Sequence, residues 1–300
     1  MKRVHGGRLN LMLKNNHPQR FNSASQILYR VVIYLVCILV ALICLFPFLA
    51  LLIIVTKSSV QITSGFSFRL GTSFFDNIKE LFKFMDKRHY SVFKAFLNSC
   101  IISFSSTALC IYFSALTAYA CHVYDFKGKA FFEKFILFLI IIPGQLGAVG
   151  FFRIVMNLHL DNTYIPFIFP AIASASTVYF LRQYLRSNFS KEYVDAARMD
   201  GANEFAIFNM ICLPYIKAGL ATMALFGIIT SWNSFMGPMT FITDAEWFTL
   251  PQLMFYLTKS NIPNYGAYYV GILITMLPML VIYFFMSKTI MKGVSAGGIK

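Results

Sequence analysis

Charge is scarce here. Only 13% of the 300 residues are charged, while 58% are hydrophobic. Soluble domains carry about 25% charged residues. So few charges cannot coat a water-facing surface, and a soluble globular enzyme is excluded on that ground. Disorder is excluded by the 17% aromatic content, which cannot stay solvated. Paired cysteines are missing too. The six cysteines form no C-x-x-C and no Cys/His cluster. Five fall in apolar runs and Cys212 in a loop, so they read as buried or lipid-facing thiols rather than a disulfide framework. No G-x-x-x-x-G-K-[ST] is present, so the chain has no phosphate-cradling loop of its own, and no H-E-x-x-H occurs. The five histidines are scattered, with His5 and His17 near the N-terminus. Catalytic, cofactor-binding and metal-ligating residues are therefore assigned to none. No carboxylate lies inside an apolar run. That counts against ion-driven transport, although unwound backbone can coordinate Na⁺ without carboxylates.

What is abundant is long apolar sequence. About 18 uncharged residues suffice for a transmembrane helix. Six stretches qualify or contain one: 31–55, 95–124, 135–152, 162–181, 218–243 and 260–287. The first is too long for a signal-peptide core of about 7–15 residues and reads as a retained helix. The expected fold class is an all-α polytopic membrane protein of six transmembrane helices. In such a chain the net charge of +14 does not point to nucleic acid; it reports basic cytoplasmic loops. With the N-terminus inside, the inner segments hold 17 Lys and Arg against 9 outside, while acids divide equally. Both termini then lie in the cytoplasm. The organisation read from sequence is a cytoplasmic tail over 1–30, a transmembrane domain over 31–287 and a cytoplasmic tail over 288–300.

The fourth-to-fifth connection holds eight charges between Arg182 and Glu204. Ser190 is placed to cap a helix whose first turn carries Glu192 and Asp195, near the positive end of the helix dipole. Ala196 and Ala197 permit close approach, and Gly201 can adopt positive φ and end the helix. Phe205, Phe208, Ile211 and Cys212 then recur at helical spacing until Leu213-Pro214. Two amphipathic helices about a glycine turn make either a docking element or an interfacial pair resting on lipid headgroups.

The segment Asp195-Ala196-Ala197-x₃-Gly201-x₉-Ile211-x-Leu213-Pro214 resembles the EAA loop of ATP-binding-cassette importer permeases. Every spacing agrees. The one departure is Asp195 for Glu, which keeps the charge and shortens the reach by one methylene. Further along, Asn98-Ser99, Ala118-Tyr119-Ala120, Pro143, Asn162-Thr163, Leu181-Arg182-Gln183, Trp232-Asn233, Thr249-Leu250-Pro251 and the tail at 293–300 are similar, in order, to the maltose-type carbohydrate permeases, the MalG-like partner in particular.

The resemblance implies the type I importer fold, in the bacterial cytoplasmic membrane. It implies a heterodimer with a second homologous permease. Two cytoplasmic ATPase subunits would hydrolyse ATP with Mg, and an extracytoplasmic solute-binding protein would deliver an oligosaccharide or other sugar. No cofactor is expected on this chain. The 190–214 loop would dock on the ATPase through Glu192, Asp195, Ala196, Ala197, Asp200, Gly201, Ala202, Ile211, Leu213 and Pro214, its apolar face filling a cleft. Gly297, Gly298 and Lys300 would reach the ATPases, unless the tail is simply a frayed end. Tyr179, Trp232, Asn233 and Ser234, near the inner half of spans four and five, fit a sugar pathway or plain helix packing. The resemblance puts the main sugar site in the other permease. Trp247, Thr249, Leu250 and Pro251 would meet the binding protein. Pro47, Pro143, Pro170 and Pro278 would be hinges or static kinks. The competing readings are a polyol or glycerol-phosphate permease, an ion-coupled secondary transporter and a membrane-embedded transferase.

Overall fold

The computed structural model describes residues 23–259 and 264–298, with side chains over 26–257 and 264–284. Lys300 and residues 1–22 of the N-terminal tail lie outside the described residues. Two compact units are formed, residues 1–53 and 54–300. No strand occurs among the described residues.

The first unit contains α1 (Ser23–Ile54), whose last charge is Arg30 and which carries Pro47 in its body. After Arg30 it is apolar on every side, the pattern of a helix surrounded by hydrocarbon.

In the second unit, α2 (Ser59–Thr63) and α3 (Phe74–Asp86) precede α4 (Val92–Val123). Ser91 starts α4, its Oγ accepting from Lys94 N at 3.2 Å. α5 (Lys129–Ile141) follows a left-handed Gly128. It stops at Pro143, which has no N–H to donate, and a 3₁₀ turn leads into α6 (Ala148–Asn157). α7 (Ile165–Ile168) and a 3₁₀ turn at Pro170–Ile172 lead to α8 (Ala175–Asn188), capped by Ser174. Next come α9 (Glu192–Met199), α10 (Glu204–Ala206), a π-helical stretch at Ile207–Cys212, α11 (Leu213–Tyr215) and α12 (Lys217–Trp232). α13 (Met236–Phe241), α14 (Leu250–Lys259) and α15 (Tyr265–Gly298) complete the chain. α4 is the frame: α8, α12 and α14 pack on it, α5 packs on α8, and α15 packs on α12 and α3.

Among the described residues, four helices are long and apolar enough to cross a membrane, and up to six if two bent pairs each count as one span. Each of the six expected runs falls on one of these candidates, with three differences. The third bends by 87° between α5 and α6 at Pro143-Gly144. The fifth is preceded by a 79° bend at Ile216, so the helix runs through Leu213-Pro214 instead of ending there; α12 itself ends at Trp232, before 243. Apolar content sets where a chain can be buried, not where its axis turns. The sixth span and the 288–298 part of the tail are one helix, because no proline follows Pro278 to interrupt it. Pro143 and Pro170 stand at breaks, whereas Pro47 and Pro278 lie inside continuous helices.

Candidate functional site

The α8–α12 connection is built on the last turns of α4 and α8. Ser190 Oγ accepts from Glu192 N at 3.3 Å just ahead of α9, whose cap position is Lys191 and not Ser190, with Glu192 and Asp195 in the first turn. The helix ends in a Schellman turn: Ala202 N donates to Ala197 O and Gly201 N to Arg198 O, both at 3.0 Å. Gly201 has φ +82°, and nothing lies within 4 Å of where a Cβ would stand. The glycine is therefore needed for its backbone conformation, not for room. Asn203 starts the next helix, its Oδ1 accepting from Ala206 N at 2.7 Å.

Around this turn a polar knot forms. Arg198 Nε donates to Glu204 Oε1 at 2.7 Å, while Tyr119 and Tyr124 hydroxyls both donate to Glu204 Oε2. Asp195 accepts from Arg198 Nη1 at 3.3 Å. Arg198 first, and then Tyr124, hold the Glu204 carboxyl below its ordinary pKa. Glu204 stood in the sequence only as one charge among eight; Arg198 is its neighbour in the same loop, whereas Tyr119 and Tyr124 come from the end of α4 and were not visible from loop spacing.

The apolar face expected to fill a partner's cleft is largely used within the chain. Val194, Ala197, Ile207, Phe208, Cys212 and Ile216 join Tyr119 of α4 and Leu181, Tyr184 and Leu185 of α8 in one buried cluster. Ile211 and Leu213 pack at its edge. Phe208 meets the rings of Tyr112 and Tyr119 at 5.7 and 5.4 Å. Within the π-helical stretch Ile207–Cys212, Ile207, Phe208 and Cys212 are buried. What remains outward is Glu192, Asp195, Ala196, Asp200, Gly201 and Pro214, together with Met199 and Phe205, 88% and 71% exposed. Ala202 is half-buried. Just beneath, Arg182 is buried in α8 rather than lying in the polar loop, and it pairs with Glu133 of α5.

At the other end of α4, Asn98 and Ser99 hold the 246–250 segment. Asn98 Nδ2 donates to Glu246 O and Phe248 O at 2.8 and 3.0 Å, and Asn98 Oδ1 accepts from the Tyr164 hydroxyl at 2.8 Å. Ser99 Oγ accepts from Leu250 N at 2.8 Å. Asn162 Oδ1 accepts from Thr243 N and Asp244 N. Thr249 and Leu250, expected as an outer contact surface, are buried, because the segment folds back as α14 against α4. Trp247 is half-buried on the Tyr164 ring at 4.8 Å, and Pro251 is half-buried.

The residues expected to line a solute path separate. Trp232 and Ser234 border a cavity of about 500 Å³ between α4, α8 and α12, whereas Tyr179 and Asn233 are not among its lining residues. Trp232 is buried against Phe96 in the first turns of α4, so it sits at the Thr249 end and not at the loop end where its position in span five placed it. Its Nε1 donates to Thr275 O at 3.4 Å. Tyr179 accepts from Gln183, and Asn233 donates back to Ile229 O. Gly297 and Gly298 end α15.

Long apolar helices, broken at prolines around a hydroxyl-lined cavity, mark an integral membrane protein. No protein-family model matches the chain. Individual proteins do. It is 31% identical over 275 residues to the arabino-oligosaccharide transport system permease protein AraQ of Bacillus subtilis, covering 91% of this chain and 96% of that one. It is 30% identical to the melibiose/raffinose/stachyose import permease protein MelC of the same organism, over 90% and 96% of the two chains. A bacterial ATP-binding-cassette transporter involved in importing the acidic polysaccharide alginate matches in fold, with TM-score 0.75 and 22% identity over 89% of this chain and 98% of that one. The chain belongs to the permease subunits of the sugar-type ATP-binding-cassette importers. The ion-coupled and transferase readings are set aside, since its relatives are permeases of such importers.

Proposed function

We propose that this chain is one of two homologous permeases of a binding-protein-dependent importer of oligosaccharides or sugars in the bacterial cytoplasmic membrane. Two ATPase subunits beneath the pair hydrolyse ATP with Mg, and an extracytoplasmic binding protein delivers the solute. Both termini and the 190–214 loop face the cytoplasm. The relatives named for arabino-oligosaccharides and for melibiose, raffinose and stachyose support the substrate class.

The observation that carries the reading is the 190–214 loop. Its inner face is rooted in α4 and α8, so it moves with them. Its outer face presents Met199 and Phe205 around the left-handed Gly201, exposed apolar groups of the sort that mark interaction sites. ATPase closure pushing on this turn would be transmitted to the helices without slack. The trans-acting ATPase fits a chain whose sequence carries no phosphate-cradling loop. In proteoliposomes holding the whole importer, Gly201→Val lowers ATP-driven saccharide uptake about tenfold or more, a loss of ~1.4 kcal/mol of coupling. ATP hydrolysis and subunit assembly persist. Normal uptake by Gly201→Val contradicts the reading.

A further inference from the structure

The segment between the first span and α4 carries more positive charge than its side of the membrane calls for. With both termini in the cytoplasm, residues 56–94 face outward, yet they hold seven Lys and Arg against three acids. Short outer connections are normally poor in Lys and Arg, so orientation does not account for the surplus. The same segment exposes apolar groups. Phe68, Leu70 and Phe75 are 73%, 73% and 72% exposed, and Phe82 is exposed as well. The segment is held in one shape at the start of the sixth span. Ser59 Oγ donates to Asn264 Oδ1 at 3.0 Å and accepts from Tyr265 N at 2.9 Å. Asn77 of α3 packs on Gly266, and its Nδ2 donates to Val55 O and Lys57 O, both at 2.9 Å. Buried Lys57 donates through Nζ to Ser67 O and Ser67 Oγ at 2.5 and 3.1 Å, and Gly71 N donates to Thr56 Oγ1 at 2.8 Å. The loop pinned between these bonds presents Phe68, Arg69 and Leu70 to the outside. On α3, Asn77, Leu81 and Met85 are buried, while Phe75, Lys79, Phe82 and Lys83 share another, exposed face.

We propose that this surface is an anchor for anionic phospholipid of the outer leaflet. Phe68, Leu70, Phe75 and Phe82 enter the boundary between headgroups and acyl chains, and Arg69, Lys79 and Lys83 meet the phosphates. Amphipathic surfaces that combine large apolar side chains with Lys and Arg bind membranes in this way, by buried apolar area together with attraction to anionic lipid. The lysine stems lie along apolar surface while their ammonium groups reach the phosphate level. Charge complementarity selects this occupant, because the surplus is cationic and the start of a span is where lipid phosphate stands. The anchor rests on the orientation proposed above, with 56–94 outside.

The experiment uses the complete importer in proteoliposomes, with the native cysteines replaced and an NBD fluorophore attached to Phe75→Cys. Glu80→Cys, exposed on α3 away from the Phe75–Phe82 stripe, is the control. Vesicles are made of phosphatidylcholine with or without phosphatidylglycerol, and a nitroxide-labelled phosphatidylcholine is the quencher. Quenching at 75 exceeds that at 80 about threefold or more in the presence of phosphatidylglycerol. Salt reverses the gain from phosphatidylglycerol, and Arg69→Gln/Lys79→Gln/Lys83→Gln does not show it. Leu70→Cys carries the same measurement should Phe75→Cys fail to assemble. Equal quenching at both positions overturns the anchor and leaves the import reading standing. A gain that survives in the triple variant also overturns it. So does fluorescence that ignores the lipid quencher and responds only to added solute-binding protein, which would assign the face to that protein. In intact cells a membrane-impermeant maleimide labels Glu80→Cys. Labelling only after the membrane is opened overturns the proposed orientation, and the import reading and the anchor fall together.

Discussion

Glu204 accepts from Arg198 on one oxygen and from Tyr119 and Tyr124 on the other, so its ionised form is favoured and its pKa falls below the ordinary value of 4.5. A depressed carboxyl pKa contributes stability that is present above the unfolded value and lost as pH falls through the folded one. Hydrogen exchange over 192–206, corrected for intrinsic rates, is therefore expected to lose protection as pH drops below about 4.5. In Glu204→Gln the protection is lower at neutral pH and flat through the acid range. Asn98 is the counterpart at the other end of α4. Asn98→Ala leaves two carbonyls and the Tyr164 hydroxyl short of a partner, at about 1–3 kcal/mol for each buried group left unsatisfied. The melting temperature in detergent falls accordingly, and crosslinks between the 246–250 segment and α4 weaken. Gly201 was legible from sequence, because only glycine enters the left-handed region freely and it follows a helix. Glu204 and Asn98 were not legible in the same way. Arg198 lies only six residues from Glu204, but the tyrosines that complete its site lie 80 and 85 residues away and the carbonyls held by Asn98 lie 148 and 150 away, and nothing local encodes these.

Among elements, α5 and α8 are joined by an ion pair between half-buried Glu133 and buried Arg182, with Arg186 approaching at 3.5 Å. Removing one partner leaves the other charge buried and unpaired, which costs ~3–5 kcal/mol, whereas an apolar pair of similar volume is often tolerated. Glu133→Leu alone is expected to lower the melting temperature sharply. The double variant Glu133→Leu/Arg182→Leu recovers most of it; equal losses in both would show that the pair is not a coupled buried unit. The order of the apolar runs was readable because charges are costly in hydrocarbon, but their ends were not: Glu133 and Arg182 lie inside helices, and α12 stops at Trp232, short of 243. Nor were the bends at Pro143 and Ile216. Proline signals a break but not its angle, and nothing in Tyr215-Ile216-Lys217 announces a 79° turn. Periodicity likewise marked Phe208 and Cys212 as one apolar face but left open what covers it. The answer is this chain's own α4 and α8.

Over the whole molecule, α4 connects the two ends. Its last turns carry the cluster that holds the 190–214 loop, its first turns hold the 246–250 segment, and the hydroxyl-lined cavity lies along its middle. In the proposed function, a push on the loop would reach the helix that borders the cavity. Fold class and family were legible from composition, charge placement and one spaced motif. The burial of Thr249 and Leu250 was not, because a polar-flanked connection can fold inward as readily as outward. The central claim is that the loop's outer face binds the ATPase. The measurement that tests it most directly is co-purification of the importer carrying Met199→Asp/Phe205→Asp, two exposed positions outside the buried cluster. The account predicts that the partner permease stays with this chain while the ATPase subunits are lost. ATPase retained at the wild-type ratio would contradict it.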